Sequence, residues 1–279
     1  MYKIGNFVFD VIIRDVPVPK NLEKFRCTDE KKEYTYEVIK VDKVEIHESE
    51  INLRQDDIYI VQKGQLEKRY LFVPGEKEPY ALCDEISHNK TIVYIDRKYT
   101  SEFVNDVMFM SLLSLEKRLR AHNQFILHCS YIIHKGEAIL FTGPSGIGKS
   151  TQADLWDKYK DIQIINGDRA VLSMDNQKLY ASGCSFCGTS EYCENVKSPV
   201  RAIVILDQAL ENQIVKLPYK DTVMHLFKQI TINYYNEQFF NDAMNFIDAI
   251  IEKNNIYHMR CNISRQAVDL LYDTLYCEN

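Results

Sequence analysis

No apolar run in this sequence approaches the roughly 18–20 residues that a membrane-spanning helix needs, so a bilayer-spanning chain is not expected. Positive charge is not in surplus either. The 34 Lys and Arg stand against 40 Asp and Glu, a formal net charge of -6. That balance argues against a nucleic-acid binder held by a basic surface. The first residues, Met1-Tyr2-Lys3-Ile4-Gly5-Asn6, lead into Phe7-Val8-Phe9 before Asp10 breaks the run, which leaves no export-signal core. Eight cysteines are scattered along a mid-sized chain without such a signal. Reduced thiols in a cytoplasmic protein are therefore expected rather than a disulfide framework. Long repeats and low-complexity tracts are missing as well.

What remains is the composition of a soluble globular protein. The 279 residues are 46% apolar and 27% charged, enough to bury a core in one large or two small domains. Residues 1–101 read as a β-rich domain. Short apolar runs at 7–13, 34–39, 44–46, 58–61, 70–73 and 91–95 are separated by charged or Pro/Gly stretches, with Pro17, Pro19, Pro74, Gly75 and Pro79 marking turns. The alternation in Thr35-Tyr36-Glu37-Val38-Ile39-Lys40 suggests antiparallel strands with one wet face. No catalytic motif occurs there.

The pattern changes near residue 102. Val104, Val107, Met108, Leu112, Leu115 and Leu119 have helical spacing, predicting a helix over 102–121 and the start of a second domain, 102–279. A strand at 125–133, a tight turn at His134-Lys135-Gly136 and a strand at 138–142 follow. Next come a glycine-rich loop, a helix at 149–159, a strand at 162–165 and two strands pairing around Asp175-Asn176. A buried strand is expected at 200–206. Helices at about 219–235, 238–253 and 264–276 close the chain, with a short strand at 256–259.

Gly143-Pro144-Ser145-Gly146-Ile147-Gly148-Lys149-Ser150 fits the phosphate-binding loop G-x-x-x-x-G-K-[ST] in full, and Thr151 follows. A strand feeds it and an amphipathic segment leaves it, the context the motif requires. Its glycines free the backbone so that successive N–H groups point into one concavity at a helix N-terminus. Lys149 would neutralise β/γ oxygens and the Ser150 hydroxyl would ligate Mg²⁺. About 20 residues on, Ile164-Ile165-Asn166-Gly167-Asp168-Arg169 ends a strand on Asp168, which could hold Mg²⁺ or take a proton from an attacking hydroxyl. The same composition suits a plain turn. His128, in Ile126-Leu127-His128-Cys129-Ser130, lies on the strand before the loop.

This order resembles the HPr kinase/phosphorylase family over residues 127–172, and more weakly to about 208. The order is strand with His, hairpin, Gly-Lys-Ser loop, helix, then strand ending in Asp-Arg. The nucleotide core shared with ATP-dependent phosphoenolpyruvate carboxykinase looks similar too. Particular likeness is to HPr-kinase-like proteins beside modified-peptide biosynthesis, some of which phosphorylate a serine of a precursor peptide. The resemblance implies an α+β or α/β fold with C-terminal helices, ATP and Mg²⁺, Asp168 on the acceptor hydroxyl or the metal, and His128 tuning it. Family members often carry two adjacent acids where this chain has Gly167-Asp168. The bifunctional enzymes' Leu-Glu-Ile-Arg-Gly segment is absent here, which favours kinase activity alone. Related kinases form oligomers, so a homo-oligomer lies within the expectation.

The leading expectation is a kinase acting on Ser or Thr of a peptide or small protein, with the N-terminal domain recruiting the acceptor. A small-molecule kinase on the same core, or a nucleotide-dependent peptide-binding protein with little catalysis, are the alternatives. Neither a nucleic acid nor a membrane is expected as a partner. Weaker candidates are Asp207, at the end of an apolar strand; Arg201, at its start; and Cys184-x-x-Cys187 with Cys193. The cysteines read better as part of an active-site loop with Glu191 than as a zinc knuckle, which needs four ligands.

Overall fold

The computed structural model describes residues 1–277 except residues 56 and 105. The chain divides into two compact units between Leu115 and Glu116, later than the expected boundary after residue 101. Among the described residues no helix is long and apolar enough to cross a membrane.

The first unit is built on one eight-stranded sheet. Its strands are β1 (Tyr2–Ile4), β2 (Phe7–Ile12), β3 (Tyr34–Val41), β4 (Leu53–Arg54), β5 (Ile58–Lys63), β6 (Leu66–Phe72), β7 (Pro79–Ser87) and β8 (Lys90–Asp96), in the spatial order β1-β2-β3-β8-β7-β6-β5-β4. The expectation of antiparallel pairing fails at its centre, where β3 runs parallel to both β2 and β8. Alternation reports a wet face and a dry one, and it is the same for either strand direction. Direction follows from the connections: short helix α1 (Lys20–Glu23) lies between β2 and β3, and strands β4 to β7 lie between β3 and β8. The run at 44–46 forms no strand, although Val44 is buried against Val61, Tyr70 and Phe72. Pro79 opens β7 instead of marking a turn, a position where its missing N–H costs least.

The single helix expected over 102–121 is three pieces. A 3₁₀ segment, Arg97–Val104, precedes α2 (Asp106–Leu112) and α3 (Leu115–Ala121). Ser114 separates the last two with φ of 45°, a left-handed conformation that interrupts the helical ladder. Apolar spacing carries through such a break unchanged, so periodicity alone does not reveal it.

The second unit mixes strands and helices. It contains β9 (Gln124–His134), β10 (Glu137–Thr142), α4 (Lys149–Tyr159), β11 (Gln163–Asn166), β12 (Arg169–Asp175), β13 (Lys178–Ser182), β14 (Lys197–Gln208), β15 (Gln213–Val215), α5 (Tyr219–Gln229), α6 (Glu237–Lys253), β16 (Ile256–Cys261) and α7 (Arg265–Tyr276). The hairpin β9–β10 turns on Lys135 and Gly136, both at positive φ, the two-residue geometry that matches strand twist. Strand β9 is long enough to serve two partners in succession: β12 along its first half, β10 and β11 along its second. Strand β14 does the same, passing from β13 to a parallel trio with β10 and β16.

Helices cover both faces. Leu226, Phe239, Phe246 and Ile250 of α5 and α6 pack on Leu127, Tyr131, Leu140 and Ile203. Trp156 of α4 and Val268 and Leu271 of α7 pack on Ile139, Phe141 and Val204. Helix α5 stops at Gln229, short of the expected 235, because the chain turns to pair with β9: Thr231 N donates to Ile126 O at 2.9 Å. Side chains cap the other two long helices, Asn236 for α6 and Ser264 for α7.

Candidate active site

The loop between β10 and α4 stands at the carboxyl end of the parallel trio, the usual place for ligands on such strands. Gly143, Gly146 and Gly148 hold φ of 146°, 78° and 109°. Gly148 is the N-cap of α4, so the following N–H groups leave the helix without intrahelical partners. Lys149 folds back over the loop: its Nζ donates to Gly143 O at 3.0 Å and Pro144 O at 3.2 Å. The side chain is 7% exposed, and burial holds its ammonium below the ordinary lysine value, opposed in part by the charge of Asp168.

Asp168 is set by β9 and by its own turn. Cys129 N donates to Asp168 O at 2.9 Å, and Ser130 Oγ to Gly167 O at 3.1 Å. Antiparallel register places His128 opposite Arg169. The Asp168 carboxylate therefore lies between two cationic or proton-bearing groups: Oδ1 is 3.3 Å from His128 Nε2, and Oδ2 accepts from Arg169 Nε at 3.1 Å. Burial pushes this carboxyl up, but the His128 bond and the Arg169 charge outweigh it and hold it below its usual 3.8. His128 is braced in turn, its carbonyl accepting from Thr142 Oγ1 at 2.8 Å.

One cavity of about 730 Å³ gathers these elements. Ser145, Gly146, Gly148, Lys149, Ser150 and Thr151 line it from the loop, His128 and Asp168 from the strands. Gly143 and Pro144 contribute their carbonyls to Lys149 instead, and Ile147 faces elsewhere. Glu191 lines the cavity as well, as do Cys187, Thr189, Ser190 and Tyr192. Asp207 does not: it lies outside, 4.0 Å from His258 Nε2. Arg201 is at the amino end of β14, where its guanidinium donates to Leu275 O near the end of α7. Among the described residues no group of three or more His, Cys, Asp or Glu side chains could hold a metal ion. Oxygen-bearing side chains line the cavity, the carboxylates of Asp154, Asp168 and Glu191 and the hydroxyls of Ser150 and Thr151 among them, and oxygen is the donor type that hard cations take.

Sequence reasoning missed the residue that builds the site. Asn166 is fully buried, and its Oδ1 accepts from Asp168 N at 2.9 Å and Arg169 N at 2.8 Å. Its Nδ2 donates to Cys184 O at 2.8 Å and Phe186 O at 3.0 Å. One amide thus shapes the Asp168 turn and ties it to the 183–193 loop. The available signal was the Asn-Gly-Asp string, since Asn side chains bond backbone N–H groups two residues on. The cysteines of that loop pack it: Cys187 Sγ donates to Ser190 O at 2.9 Å, and Cys193 Sγ to Cys184 O at 3.4 Å.

No family model matches the chain, and no curated protein matches it. Among solved structures the chain is similar to the Hpr(Ser) kinase/phosphatase from Coxiella burnetii. The two are 18% identical, over 54% of this chain and 92% of that one, with a TM-score of 0.31. A likeness at that level assigns no residue roles.

Proposed function

We propose that this chain is an ATP- and Mg²⁺-dependent kinase. It transfers the γ-phosphate to a Ser or Thr hydroxyl of a peptide or small protein, a ribosomally made precursor peptide among them. One observation carries the reading: the Lys149 ammonium and the His128-paired carboxylate of Asp168 line the same cavity.

Phosphate oxygens lie on the N–H groups of 145–151, where the α4 dipole favours anions. Lys149 exchanges its bonds to Gly143 O and Pro144 O for the β/γ oxygens. Ser150 and Asp168 would hold Mg²⁺, which supplies charge neutralisation when bound. Asp168, ionised at neutral pH, accepts the hydrogen bond of the incoming alcohol, orients it and takes its proton as the bond to the γ-phosphorus forms and the bond from that phosphorus to the bridging oxygen breaks, ADP leaving with the electron pair. Arg169 and His128 keep the carboxylate in one orientation. In a loose phosphoryl-transfer transition state such positioning and electrostatics dominate. The N-terminal unit recruits the acceptor by strand addition at β1 or β4, the edges of its sheet.

The test is label transfer from γ-labelled ATP to candidate peptides. Lys149→Ala and Asp168→Asn each lower transfer by roughly 10²–10⁴-fold, the range for removing a positioned base or phosphate contact. Calorimetry that detects no affinity for magnesium–ATP, or full transfer by Asp168→Asn, overturns the assignment. Transfer to a metabolite and to no peptide converts it into a small-molecule kinase.

A further inference from the structure

The loop that closes on Asp168 carries an alcohol of its own. Residues 187–190 form a tight turn in which Ser190 N donates to Cys187 O at 3.0 Å and Cys187 Sγ donates to Ser190 O at 2.9 Å. Gly188, at φ of 60°, and Thr189 are its central residues. Cys187 is buried while Gly188 and Thr189 are exposed, so the turn is anchored at its base and open at its apex.

The apex points into the site. Thr189 lines the same cavity as Asp168, His128 and Lys149. Its neighbour Gly188 lies against the acid: a Cβ there would stand 3.3 Å from Asp168 Oδ1, so no side chain at 188 separates the apex from the carboxylate. The other hydroxyls on this wall have tasks already. Ser130 Oγ donates to Gly167 O at 3.1 Å and Ser190 Oγ accepts from Tyr192 N at 3.1 Å, while Ser145, Ser150 and Thr151 belong to the phosphate loop. The Thr189 hydroxyl makes no hydrogen bond among the described residues.

We infer that Thr189 is a phosphorylation site and that the chain modifies it itself. This rests on the proposed kinase reading and gives the same base a second acceptor. Asp168 accepts the hydrogen bond of Thr189 Oγ1 and takes its proton as that oxygen bonds the γ-phosphorus of ATP. The bond from phosphorus to the bridging oxygen breaks, and ADP leaves with the electron pair. An acceptor tethered in the cavity needs no encounter with a second molecule, which raises its effective concentration. The product carries roughly 1.5–2 negative charges, on a wall that already holds Asp168 and the exposed Glu191. Like charge there opposes a further polyphosphate, so the modified chain holds ATP less tightly and the reaction limits itself.

The experiment incubates the full chain with Mg²⁺ and γ-labelled ATP, without peptide, over a dilution series of the chain. Label is expected on the chain and is mapped by mass spectrometry to Thr189. The fraction labelled at a given time does not change on dilution, because the transfer is intramolecular. Thr189→Val loses the label and Thr189→Ser keeps it, with thermal melting to verify that both fold. Calorimetry on the modified chain gives about tenfold weaker magnesium–ATP affinity than on the unmodified chain. Label on another residue, or none on a chain that binds magnesium–ATP, overturns this inference; transfer to a peptide by that same chain keeps the kinase reading standing. A labelled fraction that falls on dilution overturns the intramolecular step, and unchanged affinity overturns the self-limitation. A chain that neither takes label nor binds magnesium–ATP overturns the kinase reading, and this inference with it.

Discussion

Ser190 fills the space that any side chain at position 167 would need. A Cβ on Gly167 would stand 2.3 Å from both Ser190 Cβ and Ser190 Oγ, far inside contact distance. The loop that carries Ser190 also brings Gly188 against the neighbouring carboxyl, where a Cβ would stand 3.1 Å from Asp168 Cγ. Asp168 is thus enclosed by a strap that only small residues at 167 and 188 permit. An acid at 167, the pattern of the resembled family, has no room here while Ser190 holds its place.

Gly167→Ala should therefore destabilise the unit by about 1–3 kcal/mol, the range for overpacking. Ser190→Gly in the same chain should recover most of that loss, since it removes the atoms in conflict. Urea unfolding of the two single variants and the double variant measures the coupling. Additive effects would show that the loop moves freely and that the enclosure is loose.

Nucleotide affinity should have an alkaline limb below the ordinary lysine value of 10.5, because burial holds the Lys149 ammonium down. The charged form is the one that attracts phosphate, so affinity falls with rising pH as Lys149 loses its proton. Lys149→Arg keeps a cation at every accessible pH and should move the limb upward or remove it. Titrating magnesium–ATP affinity against pH in both proteins decides the matter; a limb unchanged in the arginine variant belongs to another group.

Acid sensitivity of the fold should trace in part to Asp168. Burial raises this carboxyl, but the His128 bond and Arg169 charge lower it further, below 3.8. A depressed acid binds its proton more readily unfolded than folded. Its stabilising contribution is full above the unfolded value, near pH 4, and is lost as pH falls through the folded value. Unfolding midpoints between about pH 5 and 2 should fall less steeply in Asp168→Asn than in the parent. Parallel curves would remove the two partners from the account of its ionisation.

Two loop glycines should differ in what they tolerate. No heavy atom lies within 4 Å of a Cβ built on Gly146 or Gly148, so any penalty is backbone strain. Gly146, at φ of 78°, is nearer the left-handed well, where an L-residue pays about 1–2 kcal/mol. Gly148, at φ of 109°, is far from it, and a side chain there costs up to about 3 kcal/mol. Gly148→Ala should show the lower melting temperature and the greater loss of tripolyphosphate affinity, because the shifted residue caps α4. The reverse order would mean that the loop relaxes around position 148.

Sequence and structure agree most where the determinants are local. The helix read at 149–159 is α4, residue for residue, because the glycine loop and the apolar spacing of Leu155, Trp156 and Tyr159 lie within a few turns of each other. The turn expected at 134–136 and the pairing around Asp175-Asn176 are hairpins for the same reason. Chain direction at the centre of the first sheet was not legible, since the pleat reads alike in both directions. Nor was the break at Ser114, which leaves the apolar period intact.

For the candidate site, the order of residues alone names the groups: a glycine-rich loop with its lysine, a histidine two strands before the loop's helix, and an acid on a turn after it. Tertiary structure alone decided that they meet. Pairing of β9 with β12 brings His128 to Asp168, the Asn166 amide draws the 183–193 loop over the acid, and α4 carries Gln152 to a wall it shares with residues near 210 and 263. Separations along the chain of 18 to 110 residues are closed by sheet register and buried hydrogen bonds. These depend on the whole packed core, and no window of sequence contains them.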